Sequence, residues 1–370
     1  MAYKYEHFIP QNTAPSGAKR IAVYNKNGVK VGTVPLGNLT PITKEKLYSF
    51  GLLSDIHMSV WSGGANNVPT YQNALSHFDE QGCSFVCICG DLTDTGFHMY
   101  ESDATINEVN WYDETQFTYY KQINELHPNM PVYGACGNHE SYVKPITENL
   151  TEFKKFTGHD VTFTVAREKD LFIFVGQTES YRPMSNEQFI WLGQTLETNK
   201  DKRCFIFIHP FVDAKDSGNP LGLHGIPLFD YASIARDGYT KSTFADLLAG
   251  YPNVILFHGH SHMRFENQET VSNANFSTAL GFKSVHVPST AYCRNISSGK
   301  IVIEEIAKGY IVDVYDDCIV LNGWDFTNKQ YCPLGVYKID TTLQTIRLLS
   351  SDKYILKDSN GLYLTIKENK

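Results

Sequence analysis

Five apolar runs of strand length in this sequence break off at residues of one chemical kind. Phe50–Ser54 is followed by Asp55 and His57, and Phe85–Cys89 by Gly90-Asp91. Val132–Cys136 leads into Gly137-Asn138-His139-Glu140, Cys204–Ile208 into His209, and Val254–Phe257 into Gly259-His260-Ser261-His262. In an open sheet the carboxyl ends of parallel strands lie along one edge, and sites form in the crevice beyond them. These five endings can therefore meet in space although more than half of the chain separates Asp55 from His262. Glycines before Asp91, Asn138 and His260 suit backbone that turns sharply out of a strand and passes close to a neighbour.

Between these runs the sequence reads as helix. Ser185–Thr198 is the clearest case: Ser185 and Gln188 form an S-x-x-Q capping box, and Phe189, Leu192 and Leu196 repeat at helical spacing. Further helices are expected near Tyr71–Phe78, Asn107–Leu126, Pro145–Phe156 and Ser242–Leu248, and further strands at Thr162–Ala166 and Leu171–Val175. Strands alternating with helices from Leu47 onward are the pattern of βαβ units around a buried sheet, so the class is α/β. Residues 1–47 read as an N-terminal β-rich appendage, with Arg20–Tyr24 and Val29–Val34 flanking the hairpin turn Asn25-Lys26-Asn27-Gly28. After Phe282 the helical signal ends. Phe282–Pro288, Lys300–Ile306, Tyr310–Tyr315, Cys318–Asn322 and Gly335–Ile339 are spaced as antiparallel hairpins, and Asp358-Ser359-Asn360-Gly361 marks another. The expected division is an appendage at 1–47, a central domain at 48–299, and C-terminal β-hairpins at 300–370 packed on that domain.

Composition excludes several classes. With 42% hydrophobic and 19% charged residues in 370, the chain is a folded globular one. Its 32 Lys and Arg against 40 Asp and Glu, a net charge of −8, give no polycationic footprint, so no stable nucleic-acid binding is expected. No run approaches the roughly 18 apolar residues of a membrane span. The opening MAYKYEHFIPQNTAP lacks the apolar run of a secretory signal, and a cytoplasmic location is the expectation. The eight cysteines fall largely inside apolar runs, as Cys87 and Cys89 do, and read as small buried hydrophobes in a reducing compartment and not as a disulfide framework.

The candidate metal ligands are Asp55, His57, Asp91, Asn138, His209, His260 and His262. Imidazole, carboxylate and an amide oxygen without thiolate suit Zn, Fe or Mn, whereas an all-oxygen Ca or Mg cage would not use four histidines. Seven ligands are too many for one tetrahedral catalytic ion that must keep an open position. Two ions sharing a bridging carboxylate fit the count. Taken singly, each of these residues reads as well as a satisfied histidine or a turn carboxylate; their ordered placement at strand ends sets the group apart.

The blocks Asp55-Ile56-His57, Gly90-Asp91-Leu92-Thr93-Asp94, Gly137-Asn138-His139-Glu140, His209 and Gly259-His260-Ser261-His262 resemble, in that order, the calcineurin-like metallophosphoesterase signature D-x-H, G-D-x-x-D, G-N-H-E/D, H, G-H-x-H. The resemblance spans about residues 48–295. It implies a four-layer α/β/β/α sandwich, here with the N-terminal β-hairpin appendage and C-terminal β-rich extension. It further implies that Asp55, His57 and His262 bind one transition-metal ion, that Asn138, His209 and His260 bind the other, and that Asp91 bridges them. His139 would then face the substrate as general acid or hydrogen-bond donor, with Asp94 orienting its ring. Such a site supports in-line attack of a metal-bridging hydroxide at phosphorus, with His139 assisting the leaving group. In the protein phosphatases the second block is often followed by Arg-Gly; here Thr95-Gly96 stands there, which disfavours a phosphoprotein substrate and leans toward phosphodiesters, cyclic nucleotides among them.

The expected partner is a small-molecule or nucleotide phosphate ester, and the terminal β segments offer a surface for a protein partner. The alternative is a catalytically quiet scaffold of the same fold used for protein contacts, which should have lost ligands; none is lost here. Tyr292 and Arg294, after the Val285–Ser289 run, are candidates for phosphate or leaving-group contact. His258 reads as a core residue, His77, His127 and His159 as surface residues, His98 and His224 as loop residues, and Trp111-Tyr112 and Tyr119-Tyr120 as helix packing.

Overall fold

The computed structural model describes residues 20–24, 30–35, 39–41, 45–59, 67–94, 106–141, 146–178, 184–210, 244–265, 282–297, 300–341, 346–348 and 364–366. In chain order, β1 (Arg20–Tyr24) and β2 (Lys30–Pro35) pair as an antiparallel ribbon, and β3 (Leu39–Pro41) follows. β4 (Tyr48–Leu53), β5 (Val86–Ile88) and β6 (Val132–Gly134) run parallel. β7 (Thr162–Arg167) turns back antiparallel on β8 (Asp170–Val175), and β8, β9 (Arg203–Ile208), β10 (Val254–His258) and β11 (Lys283–His286) are parallel. β12 (Cys293–Ser297) and β13 (Lys300–Glu304) form a hairpin. β14 (Lys308–Val314), β15 (Cys318–Asp325), β16 (Gln330–Asp340) and β17 (Ile346–Leu348) form an antiparallel meander, and β18 (Leu364–Ile366) pairs with β3. β14 pairs antiparallel with β4, so the meander shares one seven-stranded sheet with three of the five strands that end in candidate ligands, in the order β17-β16-β15-β14-β4-β5-β6, while β9 and β10 lie in the other sheet. The second sheet has the order β11-β10-β9-β8-β7.

The two sheets pack face to face, which explains why their central strands are apolar throughout. Phe205 and Phe207 of β9 face the other sheet, whereas Cys204, Ile206 and Ile208 face helices. A strand covered on both faces needs apolar residues at both phases of its period-2 pleat. Phe50 and Phe85 stack between the sheets at 5.3 Å, and Phe85 meets Phe172 edge-on at 5.0 Å. Each such ring contributes about 1.5–3 kcal/mol through burial alone. Outside the first sheet lie α1 (Val68–Glu80), α2 (Ile106–Glu125) and α3 (Ile146–Thr157), packed through Phe78, Phe117, Tyr120 and Phe153. Outside the second lie α4 (Asn186–Thr198) and α5 (Phe244–Ala249), packed through Phe189, Leu192, Leu196 and Leu247. The result is the α/β/β/α sandwich. α4 starts at the expected capping box, with the Gln188 amide N–H donating to Ser185 Oγ at 3.2 Å and Ser185 N–H to Gln188 Oε1 at 2.8 Å.

A buried polar clip joins the sheets at their end remote from the carboxyl termini of the ligand-bearing strands. Arg203 donates from Nε and Nη2 to the Asp170 carboxylate at 2.8 and 2.7 Å, Tyr48 donates its hydroxyl to the same carboxylate, and Arg203 Nη1 reaches the Tyr315 carbonyl at 2.6 Å. The buried charge is thus fully hydrogen-bonded, the condition under which burial is tolerated.

Several expectations need correcting. His77, His127 and His159 are half-buried and not surface residues, because each ring has a partner: His77 stacks on Trp324 at 4.1 Å, His159 on Phe163 at 4.7 Å, and His127 bonds Asp79 at 2.9 Å. Tyr120 packs on Tyr71 at 5.8 Å, but Tyr119 faces solvent. β12 was not anticipated; the polar Arg294-Asn295 within it masks the strand pattern. The turn at Asn25–Gly28, Thr95, His98, His224 and the Asp358–Gly361 turn lie outside the described residues, as do the side chains of Trp111 and Tyr112. The eight cysteines are buried and free. Among the described residues no helix is long and apolar enough to cross a membrane.

Candidate metal centre

The strands end in left-handed turns. Among the described residues seven non-glycine residues have positive φ, and five of them are Asp55, His57, Asp91, His260 and His262. A left-handed L-residue costs about 1–2 kcal/mol, and such strain concentrates where side chains must be aimed. The turns are locked to one another: Asp55 N–H donates to the Gly90 carbonyl and His57 N–H to the Asp91 carbonyl, both at 3.0 Å, and Gly259 N–H to the His209 carbonyl at 3.1 Å. Two glycines are required by close approach. A Cβ on Gly259 would fall 1.8 Å from Ser54 Oγ and 2.5 Å from Asp55 Oδ2, and one on Gly137 would fall 2.2 Å from Asp91 Oδ1.

These turns bring ligand-type atoms into two groups that share Asp91, and a third, of His57, Asp94 and His139, adjoins the first. One oxygen or nitrogen each from Asp55, His57, Asp91 and His262 lie within 4.8 Å of one another, and so do those of Asp91, His209 and His260. Asp91 belongs to both: its Oδ2 is 3.0 Å from His209 Nε2 and 3.6 Å from His57 Nε2. Asp55 Oδ1 is 2.9 Å from His262 Nε2. Asn138 is buried, and the next residue, His139, donates its N–H to Asp91 Oδ1 at 3.0 Å. The ligand-type side chains of Asp55, His57, Asp91, His209 and His262 are 0–4% exposed, while His139 and Asp94 are 12% and 15% exposed and His260 is also only partly buried, so the centre opens along these three.

Three histidines are held by one nitrogen and aimed by the other. His57 Nδ1 bonds Asp94 Oδ1 at 3.0 Å, His209 Nδ1 the Cys89 carbonyl at 2.9 Å, and His262 Nδ1 the Tyr292 carbonyl at 3.2 Å. A carbonyl or carboxylate oxygen only accepts, so each Nδ1 carries the proton and each Nε2 presents a lone pair inward. His57 Nε2 and His262 Nε2 stand 3.0 Å apart. Two lone pairs at that distance repel unless a cation or a proton lies between them. The donor set therefore fits divalent transition metals, in the arrangement of oriented imidazoles that such ions require.

Without an ion the carboxylates favour imidazolium at His57 and His209, so metal binding there would displace the inward Nε2 protons. Burial alone would raise the Asp55 carboxyl, but the imidazoles of His262, His209 and His57 hold it well below the usual carboxylate range. Asp91 is likewise held low, against burial, by His209 and His139. Burial would lower His57, yet Asp94, Asp91 and Asp55 raise it to about 9; His209 is raised to about 9 against burial by Asp91 and Asp55. Burial, with His209 beside it, pushes His260 down to about 3, and burial lowers His262 and takes His139 to about 4.

The profile of the calcineurin-like phosphoesterase family matches residues 48–264, more than half of the chain. The chain belongs to that family. It is accordingly a metal-dependent phosphoester hydrolase, with a buried Asp/His cluster suited to a dinuclear transition-metal centre. A dimetal phosphatase from Danio rerio aligns over 80% of this phosphoesterase and 100% of its own chain, at a TM-score of 0.52 and 13% identity, a likeness of fold. A purple acid phosphatase from yellow lupin (Lupinus luteus) seeds aligns over 81% of this chain and 55% of its own, at a TM-score of 0.48 and 12% identity. No curated protein matches the chain.

Some residues that build the phosphoesterase centre escaped the sequence reading. Glu140, quoted only as part of a motif, ties two turns together: Thr93 N–H donates to its Oε1 at 2.8 Å and Gly137 N–H to its Oε2 at 2.7 Å. Burial and the Asp91 charge raise it to about 7, although those two N–H groups oppose the rise. Gln116 of α2 accepts the Asp94 N–H at 2.9 Å, and Ser289 Oγ donates to the Asp55 carbonyl at 2.9 Å. Tyr292, a sequence candidate, lays its ring 4.5 Å from that of His262 and 5.7 Å from that of His57. Gln116 and Ser289 carry no local signal, since each acts on residues distant in sequence.

Proposed function

We propose that this phosphoesterase prefers diesters, with Asp55, His57 and His262 holding one ion, Asn138, His209 and His260 the other, and Asp91 serving both. The observation that carries the reading is the membership of Asp91 in both ligand groups, with His139 Nε2 3.9 Å from its Oδ2 on the open side. When bound, two transition-metal ions, Mn, Fe or Zn, neutralise phosphoryl oxygens and lower the pKa of water. His139 protonates the leaving alkoxide, and Asp94, whose Oδ1 is 3.3 Å from His139 Nδ1, keeps the ring turned to the opening. A phosphate anion at the opening favours the imidazolium that burial otherwise disfavours. Tyr292 and Arg294 contact the ester from the His262 side. The diester preference rests on Thr95: an arginine there would favour a dianionic monoester over a monoanionic diester.

Specificity constants for matched aryl mono- and diesters, with Mn- or Zn-loaded protein, test the preference; the diester value should be the larger, and a large monoester preference overturns it. His139→Ala should lower turnover by about 10²–10⁴-fold on esters with poor leaving groups and less on activated ones, with both ions still bound. Loss of metal in that variant overturns the role given to His139.

A further inference from the structure

The turn that carries His260 and His262 rests on a histidine outside the signature blocks. His286, on β11, pairs in register with His258 on the neighbouring parallel strand β10, and both side chains are buried. Their rings lie 5.5 Å apart at 62°. His286 Nε2 is 2.7 Å from Ser261 Oγ, and that same oxygen accepts the Met263 N–H at 3.2 Å. A hydroxyl has one proton. Its oxygen has two lone pairs, one taken by Met263 N–H, so the contact with His286 Nε2 is a single hydrogen bond whose direction follows the imidazole tautomer. The Ser261 side chain is thus fixed from two sides while its own N–H closes a tight turn on the Gly259 carbonyl at 2.8 Å.

We propose that Ser261 and His286 form a brace that positions the two ligands flanking Ser261, and through them both ion sites at once. His260 and His262 both hold left-handed backbone, at φ of 68° and 58°, and they belong to different ligand groups. A single peptide segment therefore feeds both halves of the centre, and Ser261 is the residue of that segment whose side chain points away from the ions into the β10–β11 layer. A turn with two such residues relaxes unless its surroundings over-determine it. The Ser261–His286 bond supplies that constraint from a rigid strand. Both are positioning residues; neither is assigned contact with substrate. The inference rests on the dinuclear reading above.

The test is metal titration of the metal-free full chain with Mn and with Zn, followed by calorimetry and metal counting, together with the melting temperature of each metal-free form. Ser261→Ala and His286→Leu should each lower affinity at both sites by about 10–100-fold, the range for lost partners of metal ligands. Ser261→Thr, which keeps the hydroxyl, and His286→Gln, whose amide can donate to or accept from that hydroxyl, should recover most of it. The Ala/Leu double variant should lose no more than either single one, since the two residues act as one pair. Single variants with lowered melting temperature and unchanged metal affinity would make the pair merely structural and overturn the brace. Affinity loss confined to one ion, or additive losses in the double variant, would also overturn it. A wild-type chain that takes up no ion overturns the dinuclear reading and the brace together, whereas a wild type with two ions and variants of unchanged affinity overturns the brace alone.

Discussion

Asp94 serves two histidines with one oxygen. Its Oδ1 accepts from His57 Nδ1 at 3.0 Å and lies 3.3 Å from His139 Nδ1, so the residue proposed to orient the substrate-facing imidazole also fixes the tautomer of a proposed metal ligand. The closer contact is with His57. Asp94→Asn should therefore lower both turnover and metal affinity, the latter by about 10–100-fold, whereas His139→Ala should leave metal affinity unchanged. Calorimetric titration of the variant decides this, and a normal metal affinity would return Asp94 to serving His139 alone. Asp91→Asn should weaken both ions and Asp55→Ala mainly one; metal counting after dialysis against a fixed Mn concentration distinguishes the two.

Among the elements, α1 is fastened to the C-terminal meander by aromatic contact. His77 lies flat on Trp324 of β15 at 4.1 Å and edge-on to Phe326 at 6.1 Å. Burial lowers the pKa of His77, with Glu80 opposing. The sign follows from proton counting: below about 6.5 the unfolded chain binds a proton that the folded chain resists, so the contribution of His77 is complete above that pH and is lost as pH falls through it. Urea midpoints of the metal-free protein should decline between pH 7.5 and 5.5, and His77→Phe should decline less steeply. An identical slope in the variant would remove His77 from the account. The same spacing logic that marks α4 by its capping box gives no hint of this stack, because His77 and Trp324 are far apart in sequence.

For the molecule as a whole, the C-terminal strands bear on the site's support. β14 pairs with Tyr48 to Leu52 of β4, and Tyr310, Val312, Val314, Ile319, Leu321, Tyr337 and Ile339 belong to the layer between the sheets. At about 1.5–3 kcal/mol per buried side chain, removing these seven costs as much as the whole 5–15 kcal/mol margin of an ordinary domain. Truncation after Arg294 should yield aggregated or unfolded protein by light scattering and circular dichroism. A soluble, cooperatively melting and fully active 1–294 fragment would show that the meander is dispensable. At the far end of the sandwich, Arg203→Leu leaves Asp170 buried without its charge partner and should cost about 3–5 kcal/mol in denaturant unfolding.

The amino-acid order by itself determined where strands end and which ligand-type residues stand there, because a strand covered on both faces must be apolar along its length and only its end can turn polar. Glu140 was legible as a motif letter, but its hold on Thr93 and Gly137 was not. The sequence did not determine partners. An unbroken apolar run carries no mark of which face or which neighbour it will meet, so the pairing of β14 with β4 was decided by the packing of the two sheets. Nor does a histidine's position say which ring nitrogen points inward. For His209 and His262 that was decided by the carbonyls of Cys89 and Tyr292, oxygens that only the tertiary structure brings within hydrogen-bond reach.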